Sequence, residues 1–262
     1  MTARVKTLIL LFVALAAVLA YAFSPYDFSN DGNGLRKVSL KALEAPKPAP
    51  KATALAQQKA APPKPKQQQP DTCKQTFLFF GDSMLEGLTR RFDDYAGANG
   101  HTLHTVIWYS SVSEKWAKTK TLEHYINKYH PTFIVVCLCS NELFVRDLDV
   151  RDKYIATIVQ KIGNIPFVWI SPPNWKDDTG INELIIKHVG KERYFDSRHL
   201  TLERGKDHAH PTFSAAAHWF DLVAKWMSSK ETAHPIIMKA PDKNNYRAAS
   251  VEVLQPSFEG VQ

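Results

Sequence analysis

Residues 76–83 read Thr76-Phe77-Leu78-Phe79-Phe80-Gly81-Asp82-Ser83, a short apolar run that ends in a glycine and two polar residues. An apolar run of this length, closed by glycine, is typical of a buried strand that leads into a turn. The residues that follow, 84–97, place their apolar side chains at helical spacing. The stretch therefore predicts a strand, a turn and a helix in that order, with Ser83 in the turn.

The same alternation of strands and helices continues along the chain. A weak alternation predicts a second strand at 102–108, and apolar stretches predict further strands at 132–139, 165–170 and near 194–195. Helical spacing predicts helices at 114–129, 148–162, 180–189 and 212–229. Strands that are apolar on both faces and separated by helices imply an α/β fold with a parallel sheet. Active sites in such sheets lie beyond the carboxyl ends of the strands, so the residues that follow each strand are the candidates for a functional site.

The net charge of +7 comes from one segment of the chain. Residues 36–70 contain eight basic residues and one acid, Glu44, whereas 1–35 and 71–262 are each about neutral. The predicted folded part therefore has no basic excess with which to neutralise phosphates. This distribution argues against a nucleic-acid partner.

An apolar run at the N-terminus predicts export. Residues 7–23 are apolar and follow Arg4 and Lys6. One interpretation is an uncleaved signal anchor over 1–24, a single-pass transmembrane helix in the inner membrane that leaves the rest of the chain in the periplasm. The alternative is a signal peptide cleaved after Ala20-Tyr21-Ala22. Under both interpretations, the rest of the chain is exported.

Composition divides the rest of the chain into a linker, a domain and a tail. Residues 25–72, rich in Pro, Ala, Lys and Gln, are predicted to be a disordered linker. A single domain is predicted over 73–230. Residues 231–262 are polar with scattered apolar residues and are predicted to be a loosely packed C-terminal tail.

Polar residues follow two of the predicted strands. Ser83 lies in a strand-to-helix turn, where the hydroxyl is exposed and the amide is suited to stabilising an anion. Asn141 follows the strand at 132–139, and its side-chain amide can donate to an oxyanion. The alternatives are a plain helix cap for Ser83 and an ordinary turn residue for Asn141.

An Asp and a His lie three residues apart in the segment Asp207-His208-Ala209-His210-Pro211. This spacing lets the carboxylate hold one imidazole nitrogen while the other faces a nucleophile, so that the His acts as general base. His208 is the rival base, but it lacks the spacing from Asp207. A polar loop whose Asp caps the next helix is the alternative interpretation.

The three cysteines, Cys73, Cys137 and Cys139, do not indicate a disulfide framework, since their number is odd and low. Cys137 and Cys139 are predicted to be small buried side chains on one face of a strand. No Cys/His spacing resembles a zinc site.

Taken together and in this order, the motifs resemble those of the SGNH/GDSL hydrolase family. Gly81-Asp82-Ser83 matches the first block, Ser140-Asn141-Glu142 the third and Asp207-x-x-His210-Pro211 the last, so the resemblance spans about residues 76–226. It implies a flavodoxin-like three-layer α/β/α sandwich around a central parallel five-stranded sheet. It also implies Ser83 as nucleophile, His210 as base and Asp207 as the partner of His210.

The resemblance further implies an oxyanion hole. Its donors are the Ser83 amide, the Asn141 side chain and a backbone amide in the second block. That block usually supplies a Gly, but 109–114 contains none, and Ser111 is the match by register. Cys139 likewise stands where Gly is usual in the third block. No metal or organic cofactor is expected.

Both departures are similar to those of envelope polysaccharide-modifying members of the family, which include O-acetylesterases and O-acetyltransferases. The implied substrate is therefore an acylated, most simply O-acetylated, polysaccharide such as cellulose or another exopolysaccharide, with acetyl transfer as the alternative reaction. A noncatalytic subunit of a membrane acyltransferase or polysaccharide synthase complex is a further alternative, and a lipase or thioesterase is another. Aromatic residues near the strand ends are expected either to stack on sugar rings or to pack in the core: Trp108, Tyr109, Trp116 and Trp175.

Overall fold

The structure, a computed structural model, describes residues 3–23, 69–242 and 250–262. The chain divides into two compact units, Met1–Pro62 and Pro63–Gln262. Each unit is described by itself.

In the first unit, helix α1 spans Ala3–Phe23 and covers most of the predicted anchor at 1–24. Among the described residues, no helix combines the length and the hydropathy needed to cross a membrane. The predicted linker at 25–72 lies outside the described residues except for 69–72.

The second unit is built on one parallel sheet flanked by helices. The strands are β1 Thr76–Gly81, β2 Thr102–Trp108, β3 Phe133–Cys137, β4 Phe167–Ile170, β5 Tyr194–Phe195 and β6 Ser250–Leu254. The helices are α2 Leu85–Ala98, α3 Ser113–Lys118, α4 Thr121–Tyr129, α5 Leu148–Ile162, α6 Ile181–Val189 and α7 Phe213–Met227. The strand order is β5-β4-β3-β1-β2-β6, and every neighbouring pair is parallel. The predicted α/β class is confirmed.

The predicted number of strands is corrected from five to six. The additional strand, β6, pairs with β2 at the edge of the sheet and comes from the segment predicted to be a tail. Its side chains are only half-buried or exposed, because an edge strand has one neighbour. Such a short strand lacks the continuous apolar run that identified the central strands, and this explains why sequence patterning did not reveal it.

One predicted helix, at 114–129, is divided into α3 and α4. Thr119 is extended between them, with φ −102° and ψ 164°. The amide of Lys120 donates to the carbonyl of Val261 at 2.7 Å. The C-terminal segment therefore docks where the helix is interrupted.

Two hydrophobic clusters cover the two faces of the sheet. In β1, Phe77 and Phe79 belong to one cluster and Leu78 and Phe80 to the other, since successive side chains of a strand point to opposite faces. Helices α2 and α7 complete the first cluster, and α3, α4, α5 and α6 complete the second. With both faces covered, the carboxyl edge of the sheet is the place where loops from several strands meet.

Candidate active site

The turn after β1 depends on a close approach between two strands. A Cβ atom on Gly81 would lie 1.7 Å from the carbonyl oxygen of Cys137 in β3, so no larger residue fits. The amide of Asp82 donates to the same oxygen at 3.2 Å. The chain then turns into α2, which leaves Ser83 partly exposed at the carboxyl edge of the sheet.

Asp82 joins this turn to the loop after β3. Its carboxylate is fully buried and accepts hydrogen bonds from the amides of Met84, at 3.1 Å, and Ser140, at 3.0 Å. Burial raises the pKa of Asp82 to about 6, although the hydrogen bonds from Ser140 and Met84 oppose that rise. The carboxylate thus holds the segments carrying Ser83 and Asn141 in a fixed relation. Sequence reasoning did not single out Asp82; the available signal was an acid placed directly after a buried strand.

Ser83, His210 and Asp207 form a continuous hydrogen-bonded chain. His210 Nε2 lies 2.8 Å from Ser83 Oγ, and His210 Nδ1 lies 2.6 Å from Asp207 Oδ2. The side chains of His210 and Asp207 are both well exposed to solvent. In this arrangement the imidazole can take the serine proton while the carboxylate fixes its tautomer. The structure therefore brings together three residues that lie in two motifs separated by more than 120 residues of sequence.

Asp207 is held as a carboxylate by its own loop. The amides of His210 and Ala209 both donate to Asp207 Oδ1 at 3.0 Å. These two hydrogen bonds, followed by the one from the His210 side chain, lower the pKa of Asp207 to about 2. The group is therefore ionised throughout the neutral range.

The structure also separates the two candidate histidines. His208 occupies the positive-φ position of the turn, with φ 59°, and is exposed, whereas His210 contacts Ser83. Helix α7 is capped by Thr212, whose side chain accepts from the amide of Ala215. Asp207 is thus not needed as the cap of that helix.

The loop after β2 contains Ser111, whose backbone amide was expected to donate to the oxyanion. The amide of Ser111 donates to the carbonyl of Trp108 at 3.1 Å, and the Ser111 side chain is fully buried. This amide already donates within its own loop, which disfavours the expected role of Ser111 as an oxyanion donor. Ser110 instead has φ 54° and lines the same cavity as Ser83.

Asn141 lies beside this loop. Its Nδ2 donates one hydrogen to the carbonyl of Ser111 at 2.9 Å, which leaves a second hydrogen on the same nitrogen. In the part of the chain that the structure describes, the backbone amides of Ser83 and Ser110 donate to no protein acceptor. Among the described residues, the two amides and the second Nδ2 hydrogen of Asn141 thus have no protein acceptor; Ser83 and Ser110 line the same cavity, whereas Asn141 is not part of its lining.

Glu142, the next residue, fixes the start of α3. Its fully buried carboxylate accepts from the amide and hydroxyl of Ser113, at 2.7 and 2.6 Å. Arg151 Nη1 lies 3.4 Å from the same carboxylate. The loop that carries Ser110 is therefore attached at several points to the loop after β3.

A cavity of about 360 Å³ opens beside the triad. Its walls combine apolar and polar side chains, among them Met84, Tyr109, Ser110, Pro211 and Phe213. A small acyl group fits a space of this size and character.

The remaining candidates fall outside this cavity. Trp108 and Trp116 are fully buried and pack in the core, whereas Trp175 is exposed. Cys137 and Cys139 are buried, and burial raises the pKa of both thiols well above the ordinary value. Within residues 3–23, 69–242 and 250–262, no group of three or more His, Cys, Asp or Glu side chains is arranged to hold a metal ion.

Comparison with known proteins adds no relative to this description. No family model matches the sequence, and no curated protein matches it. The functional assignment of this site therefore depends on the motifs and the geometry of this chain.

Proposed function

We propose that the protein is a serine esterase that cleaves O-acyl groups, with Ser83 as the nucleophile. The observation that carries the proposal is the chain of hydrogen bonds from Asp207 through His210 to a solvent-accessible Ser83, at 2.6 and 2.8 Å. Nucleophile, base and orienting acid at such distances are the arrangement needed for covalent acyl transfer.

In the first half of the reaction, Ser83 Oγ forms a bond to the ester carbonyl carbon while its proton passes to His210 Nε2. The ester C–O bond then breaks, and the alcohol leaves with that proton. In the second half, His210 takes a proton from water, hydroxide adds to the acyl-enzyme, and the acid leaves as Ser83 regains its proton. Asp207 stabilises the imidazolium formed in each half.

Three hydrogen-bond donors are proposed to stabilise the negative charge that develops on the carbonyl oxygen. They are the backbone amides of Ser83 and Ser110 and the second Nδ2 hydrogen of Asn141. Removing one such donor typically lowers turnover about 100- to 1000-fold. The absence of glycine in the second block is compatible with this role, because the donor is a backbone N–H, which every residue except proline carries.

The order of motifs and the six-stranded parallel sheet support membership of the SGNH/GDSL family and its flavodoxin-like three-layer fold. Hydrolysis is favoured over acetyl transfer because the side chains of His210 and Asp207 are open to water. Export and tethering to the inner membrane, as expected from residues 1–24, belong to the same proposal. They would place the reaction in the periplasm, where an acylated polysaccharide is the proposed substrate.

The test is hydrolysis of 4-nitrophenyl acetate by wild type and by the Ser83→Ala variant. We expect kcat to fall by at least about 1000-fold in the variant, since the nucleophile is lost. A fluorophosphonate reagent should label wild type on the peptide that contains Ser83 and should leave Ser83→Ala unlabelled.

Ser257→Ala is the matched control, because Ser257 is an exposed serine outside the cavity. It should retain wild-type turnover and labelling. Hydrolysis by Ser83→Ala at the wild-type rate would overturn the assignment of the nucleophile.

A further inference from the structure

Three exposed aromatic side chains mark the catalytic edge of the sheet. In the described residues of the second unit, 69–242 and 250–262, the exposed Phe and Trp side chains are Phe144, Trp175 and Phe213, with exposed fractions of 39%, 36% and 53%. Phe144 follows β3, Trp175 follows β4 and Phe213 begins the helix after His210. Exposed apolar surface that clusters in this way, rather than scattering, marks a binding surface.

Two of these rings are held together. Phe144 and Trp175 meet edge to face with their ring centroids 5.8 Å apart. Their loops are joined because the amide of Thr179 donates to the carbonyl of Leu143 at 2.8 Å. The pair is therefore a fixed surface and not two independent loop tips.

Arg204 connects this pair to the catalytic loop. Its Nη1 donates to the carbonyl of Ala209 at 2.6 Å, and its Nη2 donates to the carbonyl of Pro173 at 3.0 Å. The guanidinium carbon lies 5.9 Å from the centre of the Trp175 ring. The Arg204 side chain thus links Trp175 to Ala209, the residue that precedes His210.

A cavity of about 510 Å³ adjoins Trp175 and is lined mainly by polar groups. These groups include Asn174, Lys176, Asp177, Asp178, Glu183 and Arg198. An acyl chain would need apolar walls, whereas one aromatic face surrounded by hydrogen-bonding groups fits a ring with many hydroxyls.

The charges of this cavity favour a neutral ligand. Arg198 is paired with Glu183 at 2.8 Å and with Asp196 at 2.7 Å. Asp178 accepts from Asn174 and Asn182. The lining holds three carboxylates, one of them paired with Arg198, against Lys176, Arg198 and His199, so it presents no basic excess to a polyanion when His199 is neutral.

We propose that Trp175, Phe144 and the adjoining cavity form a subsite for a neutral glycan chain, on which a sugar ring stacks while an O-acyl group of the same chain reaches Ser83. This inference rests on the proposed esterase function and names the substrate class of that site. Phe213 and Tyr109 line the cavity beside Ser83 and contact the acylated residue itself.

The catalytic test compares Trp175→Ala with wild type on two esters. On O-acetylated xylo-oligosaccharides, kcat/KM should fall about tenfold through a higher KM, which corresponds to the loss of about 1.4 kcal/mol of binding. On 4-nitrophenyl acetate, which is too small to reach the subsite, kcat/KM should stay within about twofold. Trp175→Phe should recover most of the lost activity because it restores an aromatic face.

Val150→Ala, in α5, is the control for removing an exposed apolar side chain elsewhere and should leave both substrates unaffected. Equal losses on the two esters in Trp175→Ala would overturn the subsite. The same conclusion would follow if wild type preferred O-acetylated alginate oligosaccharides, which are anionic, over the neutral series.

A binding experiment separates failure of the subsite from failure of the esterase. Titration of unacetylated xylopentaose and cellopentaose into the Ser83→Ala protein by calorimetry should give binding to at least one of them that Trp175→Ala weakens about tenfold. Such binding without hydrolysis of 4-nitrophenyl acetate by wild type would retain the subsite and reject the esterase. Hydrolysis of 4-nitrophenyl acetate without binding of either pentaose would do the reverse.

Discussion

Two residues near Ser83 adopt a backbone conformation that favours glycine. Ser110 has φ 54° and Cys139 has φ 82°. The left-handed region costs an L-residue about 1–2 kcal/mol, and such strain persists where the surrounding structure enforces it. Ser110 lies in the loop after β2 and Cys139 in the loop after β3, the two loops beside Ser83. Cys139 is the position at which the resemblance expected a glycine, whereas Ser110 precedes the expected position, Ser111, by one residue.

Replacing Ser110 with Gly should raise the stability of the protein. The φ of 54° is free of strain for glycine, and the exposed Ser110 side chain loses little packing, so the free energy of unfolding should rise by about 1 kcal/mol. For a domain of this size, the expected increase in Tm is about 2–4 °C. Thermal unfolding followed by circular dichroism measures it.

Ser214→Gly is the matched control, since Ser214 is exposed but lies in the first turn of α7 with helical geometry. There the same substitution should lower Tm slightly, because glycine is the poorer helix former. A fall in Tm for Ser110→Gly would show that the side chain of Ser110 contributes more than its backbone strain removes.

At the scale of residues, the sequence predicted the members of the hydrogen-bonded chain better than the residues that shape the site around them. Ser83 and the pair Asp207 and His210 could be found because each lies in a motif of fixed spacing. Ser110 could not, since its φ and its open amide result from how the loop is held by neighbours distant in sequence. Asp82 was missed for a similar reason, because its role depends on full burial against the amide of Ser140.

At the scale of elements, the C-terminal segment supports the loop that carries Ser110. The amide of Tyr109 donates to the carbonyl of Leu254, the last residue of β6, at 3.0 Å. Lys115 Nζ donates to the carbonyl of Pro256 at 2.7 Å, and the Phe258 ring lies 5.3 Å from that of Trp108. The predicted tail therefore contributes both a strand and a support for one proposed oxyanion donor.

Glu252 attaches β6 to the helix beside it. Its carboxylate accepts from the hydroxyl of Tyr125 at 2.9 Å, from the hydroxyl of Tyr129 and from Lys128 Nζ. Partial burial raises the pKa of Glu252, but the hydrogen bonds from these three residues outweigh it and bring the pKa below its ordinary value. β6 is thus held by a side-chain network as well as by its pairing with β2.

Deleting residues 250–262 should lower kcat for 4-nitrophenyl acetate by about 100-fold, since the Ser110 amide loses its support. The fluorophosphonate reagent should still label Ser83, because the triad contains no residue of the deleted segment. Steady-state kinetics and mass spectrometry measure the two effects.

Glu252→Gln provides a graded comparison for this deletion. It keeps the length of the side chain but weakens the acceptor, so its loss of kcat should be small next to that of the deletion. Wild-type kcat in the deleted protein would refute the supporting role of β6. Loss of labelling together with kcat would instead show that the whole site had collapsed.

Burial explains which strands could be predicted from the sequence. Strands β1, β3 and β4 were predicted because they are buried on both faces and therefore almost wholly apolar. β2 was predicted from a weak alternation, since Thr102 is exposed and His104 is half-buried. β6 is an edge strand whose residues 250–254 alternate between half-buried and exposed, and its partner β2 lies far away in sequence. Periodicity over so few residues does not distinguish a strand from a tail.

At the scale of the whole molecule, the parallel sheet explains how distant motifs meet. Ser83 follows β1, Ser110 follows β2, Asn141 follows β3, Trp175 follows β4 and His210 follows β5. Because all strands run in the same direction, their carboxyl ends lie at one edge. The clustering of these residues was therefore foreseeable from the strand–helix alternation, whereas the distances between their atoms required the structure.

The second unit should fold and act without the first. All buried hydrophobic residues of the described chain lie between Phe77 and Met238, and the excess of basic residues falls within 36–70. We expect a protein that begins at Gln69 to keep the Tm of the full chain within about 2 °C and its kcat for 4-nitrophenyl acetate within about twofold.

The position at which the shortened protein begins sharpens this prediction. Asp71 bridges to the segment after α7, donating its amide to the carbonyl of Pro235 at 2.7 Å and accepting from the amide of Ile237 at 3.2 Å. A protein that begins at Thr72 lacks both hydrogen bonds but keeps Gln75, and it should lose about 1–3 kcal/mol of stability, or several degrees in Tm, relative to one that begins at Gln69. Equal Tm values for the two shortened proteins would show that the bridge contributes nothing. An unfolded protein from Gln69 onward would show that the sheet depends on the residues before it.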